Sequence, residues 1–99
     1  MANMYISEYA DLARDGDGNI IPVGAAPAVA TQKIAFTGTA GVSAAFNNRT
    51  KFVRIYLDTA GYILFGTAPT ATTASDTPMA ATTPEYFGVI GGQKVSAVS

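Results

Sequence analysis

The 99-residue sequence contains no histidine, no cysteine and no tryptophan, and only six basic and seven acidic side chains. Without His or Cys, the side chains behind most general acid–base catalysis, thiol chemistry and transition-metal ligation are missing. Without Cys there is no disulfide framework either, which leaves the redox compartment open. The net charge is −1 and the basic residues are scattered, so no electrostatic footprint for nucleic acid exists. No run approaches the ~20 apolar residues that a membrane-crossing helix needs. The opening Met1-Ala2-Asn3-Met4-Tyr5-Ile6-Ser7-Glu8 has neither the basic segment nor the apolar stretch of a secretory signal. These absences lead to an expectation of a protein that is not an enzyme, that binds neither nucleic acid nor membrane, and that is made and assembled in a cytoplasm.

What is present is Thr, Ala, Val, Ile, Phe and Tyr in short alternating runs with Gly and Pro between them. Ninety-nine residues make one domain, able to bury roughly 60–65% of its unfolded surface and to fold alone with little in reserve. The hydrophobic fraction of 48% is ordinary, whereas the charged fraction of 13% is about half the usual share of roughly 25%. Thr and Ala have taken the place of charge on what should be outer strand faces. With little like-charge repulsion between copies, such a surface favours association.

The first thirty residues read differently from the rest. Apolar side chains at 4, 5, 6, 9 and 12 fit neither a helical nor a strand period cleanly. Arg14-Asp15-Gly16-Asp17-Gly18-Asn19 is a concentrated turn signal, and Ile20-Ile21-Pro22-Val23 is a short apolar run after it. Pro22 and Pro27 bar this stretch from a central strand. Residues 1–30 are therefore expected to be an extended arm with one turn, and residues 31–99 a β-domain that survives removal of the arm.

From Thr31 the alternation is regular. Ile34 and Phe36 share one face, and Val42, Ala44 and Phe46 alternate on the next run. Residues 51–58 form the strongest strand pattern, bulky on both faces and so expected to be central. Thr59-Ala60-Gly61 then predicts a hairpin to Tyr62-Ile63-Leu64-Phe65-Gly66, and Gly91-Gly92 a second one joining residues 85–90 to 94–98. Between them, residues 67–77 are low in complexity and read as a long surface loop unable to supply a core, with Pro78-Met79-Ala80 adding a little edge strand. Six or seven short strands of this kind imply an all-β antiparallel sandwich or partly open barrel behind the arm.

No motif rises to chemistry. Asp15-Gly16-Asp17-Gly18-Asn19 invites comparison with a calcium loop, but the sixth position is Ile20 where Gly belongs and the twelfth is Ala26 where Glu belongs. An Asp-Gly turn explains it. The acids Glu8, Asp11, Asp15 and Asp17 lie in the expected arm, and Asp58, Asp76 and Glu85 at strand ends, with no spacing that converges them. Serine has no His as base and no Ser-x-x-Lys partner. Gly88, Gly91 and Gly92 mark a turn, and Asn48-Arg49-Thr50, a formal glycosylation acceptor, is read as a turn too. No catalytic, cofactor-binding or metal-ligating residue is assigned.

Ile34, Phe36, Phe46, Val53, Ile55, Leu57, Ile63, Phe65, Phe87 and Val89 are expected to dominate the core. The five tyrosines cannot all be buried with bonded hydroxyls in so small a domain, and such amphipathic rings suit interfaces. The residues expected to contact other proteins are Met4, Tyr5, Ile6, Tyr9, Ile20, Ile21, Val23, Tyr56, Tyr62 and Tyr86.

Several segments resemble short tailed-bacteriophage virion proteins of the head decoration, or cement, type. They are Lys51-Phe52-Val53-Arg54-Ile55, Phe65-Gly66-Thr67-Ala68-Pro69-Thr70-Ala71-Thr72, Glu85-Tyr86-Phe87-Gly88-Val89, and Gly92-Gln93-Lys94-Val95. The first thirty residues, with Tyr5-Ile6, Glu8-Tyr9 and an Asp-Gly turn, also look similar. The resemblance implies a capsid decoration protein on the virion surface that binds the major capsid protein and its own copies, as a homotrimer in preference to a homodimer, and stabilises the head by bridging capsomers. A tail, baseplate or head-completion protein is the neighbouring alternative. A carbohydrate-binding β-sandwich module using exposed tyrosines is the alternative from another class.

Overall fold

A computed structural model describes residues 2–73 and 76–99. Ten strands are present and no helix among the described residues: β1 (Ala2–Tyr9), β2 (Leu12–Arg14), β3 (Ile20–Gly24), β4 (Ala30–Phe36), β5 (Gly41–Val42), β6 (Phe52–Leu57), β7 (Gly61–Gly66), β8 (Thr77–Met79), β9 (Glu85–Gly88) and β10 (Lys94–Val98). They form two antiparallel four-stranded sheets, ordered β4-β1-β6-β9 and β5-β10-β7-β8, and a separate two-stranded sheet, β2-β3. Neither large sheet closes into a barrel, and the all-β sandwich-like architecture follows the alternation in the sequence.

The two large sheets meet face to face because each supplies one apolar side of its pleat. The first contributes Ala2, Met4 and Ile6 from β1, Phe36 from β4 and Val53, Ile55 and Leu57 from β6. The second contributes Ile63, Met79, Val95 and Ala97, and Phe46 fills one end. Six of the ten expected core residues are buried, and Ile34, Phe65, Phe87 and Val89 pack against them half-buried.

Three expectations are corrected. Residues 1–30 are not an extended arm, because β1 is an interior strand hydrogen-bonded to β4 on one side and β6 on the other. Its inward set Ala2, Met4, Ile6 and Glu8 has strict period 2. That period was obscured in the sequence because Glu8 occupies a core position and Tyr5 and Tyr9 are apolar on the outer face. Among the described strands, only β2 and β3 lie outside the two large sheets. Residue 1 lies outside the described residues.

The two expected late hairpins are not hairpins. β6 lies in the first sheet and β7 in the second, and β9 and β10 are divided in the same way. Each short connection carries the chain across the sandwich, where both flanking strands turn apolar faces inward. A local turn signal reports a reversal but not whether the strands then pair with each other.

The 67–77 segment also contributes to the packing, since Pro69 and Ala71 are buried. The Ala71 amide donates to the buried Ser96 Oγ at 2.9 Å, which seals part of the outer face of β10. Ala74 and Ser75 of that segment lie outside the described residues. Met79 sits in the short edge strand β8, as the sequence suggested. The run at Val42, Ala44 and Phe46 is strand only at Gly41–Val42.

Candidate interaction surface

The β2–β3 hairpin is built firmly at its tip. The Asp15 amide donates to Asn19 O at 2.9 Å, and Gly18 N donates to Asp15 O at 3.1 Å with Gly18 at φ +84°. One oxygen of the Asp15 carboxylate accepts the Asp17 and Asn19 amides at 2.9 and 3.0 Å. These donors, Asn19 N–H foremost, hold its pKa below the ordinary 3.8. The Arg14 guanidinium closes the turn by donating to Gly18 O at 3.0 Å. The residues that resemble a calcium loop are therefore used in an Asp-Gly turn.

The root is anchored as well. Tyr9 stacks on Phe52 with ring centroids 5.3 Å apart and lies against Gly24, where any Cβ would come within 2.6 Å of the Tyr9 ring. Ala25 N donates to Asp11 O at 3.0 Å, and Val29 N to Glu8 O at 2.7 Å.

Between tip and root the hairpin is uncovered. Ile20 is 58% exposed and Val23 52%, and Ile21 is exposed too. A free two-stranded hairpin is marginal in water, and its apolar side chains gain only when another surface covers them. Covering these three would contribute about 1 kcal/mol each, since roughly half of each remains open to water. Beside the root an apolar groove of about 390 Å³ runs between Leu12, Pro22 and Val23 on one wall and Phe52, Tyr86 and Phe87 on the other. It borders β9, whose outer edge carries no strand.

The outer face of the first sheet is the second feature. Strand register sets Tyr5 opposite Lys33 on one side and Tyr56 on the other, and Arg54 opposite Ser7 and Tyr86. Tyr5 and Tyr56 meet edge to face at 5.9 Å and 62°. Lys33 Nζ lies 5.6 Å from the Tyr5 ring centroid, and the Arg54 guanidinium 6.0 Å from that of Tyr56. Both are within cation–π range. Together with Ser7, Thr31 and Asp58 they line an open concavity of about 830 Å³. Asp58 is committed at its margin: it accepts Asn3 N at 2.7 Å and Asn3 Nδ2 at 3.2 Å, and the backbone donor is the main cause of its lowered pKa. Each tyrosine thus presents an edge and a neighbouring cation, an arrangement suited to an acidic, partly apolar protein segment.

Of the residues expected at contacts, Tyr5, Tyr86, Ile20, Ile21 and Val23 are exposed. Tyr9, Tyr56 and Tyr62 are half-buried. Tyr5 and Tyr56 share the concavity, Ile20, Ile21 and Val23 share β3, and Tyr86 faces the groove. Tyr62 lies apart, on β7 of the second sheet. Met4 and Ile6 are corrected: both are fully buried on the inner face of β1, so their side chains cannot reach a partner.

Sequence reasoning missed Lys33, Arg54 and Phe52 at this surface, because only strand register brings them beside the tyrosines. It also missed Glu8. That side chain is 1% exposed; its Oε1 accepts Asn47 N and Thr50 Oγ1, both at 2.8 Å, and its Oε2 accepts Gln32 Nε2 at 3.1 Å. Compared with protein-family models, curated proteins and solved structures, the chain matches none of them.

Proposed function

We propose that the protein is a structural component of a tailed-bacteriophage virion, a decoration protein that binds the outer surface of the head and stabilises it by bridging capsomers. The observation that carries this reading is the hairpin: its ends are fixed by hydrogen bonds and ring packing, yet Ile20, Ile21 and Val23 between them are left to water. An element ordered in this way is ready to dock without first losing conformational freedom, which favours binding. The low charge and the resemblance to cement proteins support the same reading. Its partners are then the major capsid protein and further copies of itself, and its place is the capsid surface of a particle assembled in the host cytoplasm. On a symmetric lattice many such contacts act together, so modest affinity per copy gives firm attachment.

The test is co-sedimentation with purified heads, followed by thermal and osmotic stability of heads lacking the protein. Binding with a gain in head stability is the expected result, and absence of the protein from particles would end the proposal. Quantitative mass spectrometry separates decoration, with hundreds of copies per particle, from a tail, baseplate or head-completion role with a few.

A further inference from the structure

Charge is divided unevenly between the hairpin and the body of the molecule. Residues 11–24 hold Asp11, Asp15 and Asp17 against Arg14 alone. Five of the six basic residues lie elsewhere, and two of them, Lys33 and Arg54, flank the tyrosine concavity on the first sheet. The β2–β3 hairpin is therefore acidic, with bare isoleucine and valine side chains. Another part is a concave face of tyrosine and two cations, whose one lining acid, Asp58, is engaged by Asn3.

The two surfaces are complementary: an acidic hairpin with uncovered aliphatic side chains, and a hollow of tyrosines flanked by two cations. The protein is also elongated, 47 Å along its major axis against 25 and 21 Å across. The concavity, at about 830 Å³, has room for several side chains of a hairpin.

We propose that the β2–β3 hairpin of one copy docks on the Tyr5–Tyr56–Lys33–Arg54 concavity of a second copy, joining identical chains head to tail. Asp17 at the tip faces Lys33 and Arg54 of the neighbour. The apolar flank at Ile21 and Val23 lies against the tyrosine edges. Because donor and acceptor surfaces differ, the contact is heterologous, and copies joined this way form a ring when the rotation closes. A ring of this kind would place the same face of every copy toward a lattice beneath it. That last step rests on the capsid reading, whereas the contact itself does not.

The experiment therefore uses the isolated full chain and needs no capsid. Sedimentation velocity of the unmodified protein should show concentration-dependent association that weakens as salt rises from 50 to 500 mM (~14 to ~4 Å screening length). Asp17→Lys alone, and Lys33→Glu with Arg54→Glu, should each weaken association about tenfold or more, as expected for reversing opposed charges. The triple variant carrying all three changes should recover it.

Cysteine trapping gives an independent reading, because the chain has no cysteine of its own. Asp17→Cys mixed with Lys33→Cys should form the mixed disulfide, whereas either variant mixed with Arg49→Cys should not. A wild-type protein that stays monomeric at every concentration and salt level would overturn the proposal. So would association that is indifferent to these charge reversals, or trapping that favours Asp17 to Asp17. Binding to heads could survive any of these outcomes, so failure of this contact and failure of the capsid reading are told apart.

Discussion

Glu8 offers the sharpest test of how the β-domain is held together. Its carboxyl group lies among apolar side chains on the inner face of β1, yet accepts three hydrogen bonds, from Asn47 N, Thr50 Oγ1 and Gln32 Nε2. These tie the central strand to β4 and to the 44–50 connection. Glu8→Ala removes both acceptor oxygens and with them all three hydrogen bonds. Thr50 is buried and its hydroxyl would be left without this partner, whereas Asn47 is exposed and its amide can return to water. Gln32 retains its bonds to the Ala44 backbone.

A buried donor left unpaired costs about 1–3 kcal/mol, and the one lost methylene adds about 1 kcal/mol. The expected destabilisation is therefore about 2–4 kcal/mol, against a total of about 5–15 kcal/mol for a domain. Glu8→Gln keeps one oxygen for Asn47 and Thr50 but sets an amide NH₂ against that of Gln32, and should cost about 1–2 kcal/mol, near one net hydrogen bond. Equilibrium urea unfolding of the three proteins gives the ordering, with unchanged slopes as the sign that only stability has moved. An alanine variant losing less than about 1 kcal/mol, or a glutamine variant losing as much as alanine, would refute the assignment of Glu8 as the buried polar tie.

Removal of residues 2–9 should abolish cooperative unfolding, because an interior strand goes with them, whereas Ile20→Ser with Val23→Ser should change stability by no more than about 0.5 kcal/mol while weakening association or head binding; circular dichroism melts and sedimentation check both. Ser96→Ala should cost about 1–3 kcal/mol by leaving the Ala71 amide unpaired under the 67–77 segment, read from the urea midpoint. Asp15 and Asp58 both titrate below their ordinary 3.8 in the folded protein. Their contribution is therefore complete above that value and lost as pH falls through the folded pKa. Acid unfolding curves should show it, and Asp58→Asn should flatten them below about pH 4.

Strand periodicity was legible wherever polar and apolar residues alternate plainly. Residues 51–58 read as a central strand and β6 is one. The β2–β3 turn followed from Asp15-Gly16-Asp17-Gly18. β1 was hidden because tyrosines at 5 and 9 sit on the solvent side and a glutamate at 8 on the core side, so polarity alone pointed the wrong way. Pairing was the least legible, since Gly61 and Gly91-Gly92 signal a change of direction equally well for a hairpin and for a crossing between sheets. The candidate surface was half legible: the bare Ile20, Ile21 and Val23 were named from their turn and proline context, whereas Lys33 and Arg54 join Tyr5 and Tyr56 only through a register spanning three strands.

The placement of β1 and β10 bears on how the chain reaches this state. Each is an interior strand of its sheet, and they come from opposite ends of the sequence, residues 2–9 and 94–98. Among the described strands only β2 and β3 form a tight local pair, and most other ladders join strands distant along the chain. Closing such long loops before any reward accrues slows the search, so folding in milliseconds to seconds is expected. During synthesis the first sheet waits for β9 at residues 85–88 and the second for β10 at 94–98, so Met4 and Ile6 stay uncovered until nearly the whole chain has emerged, a state prone to aggregation.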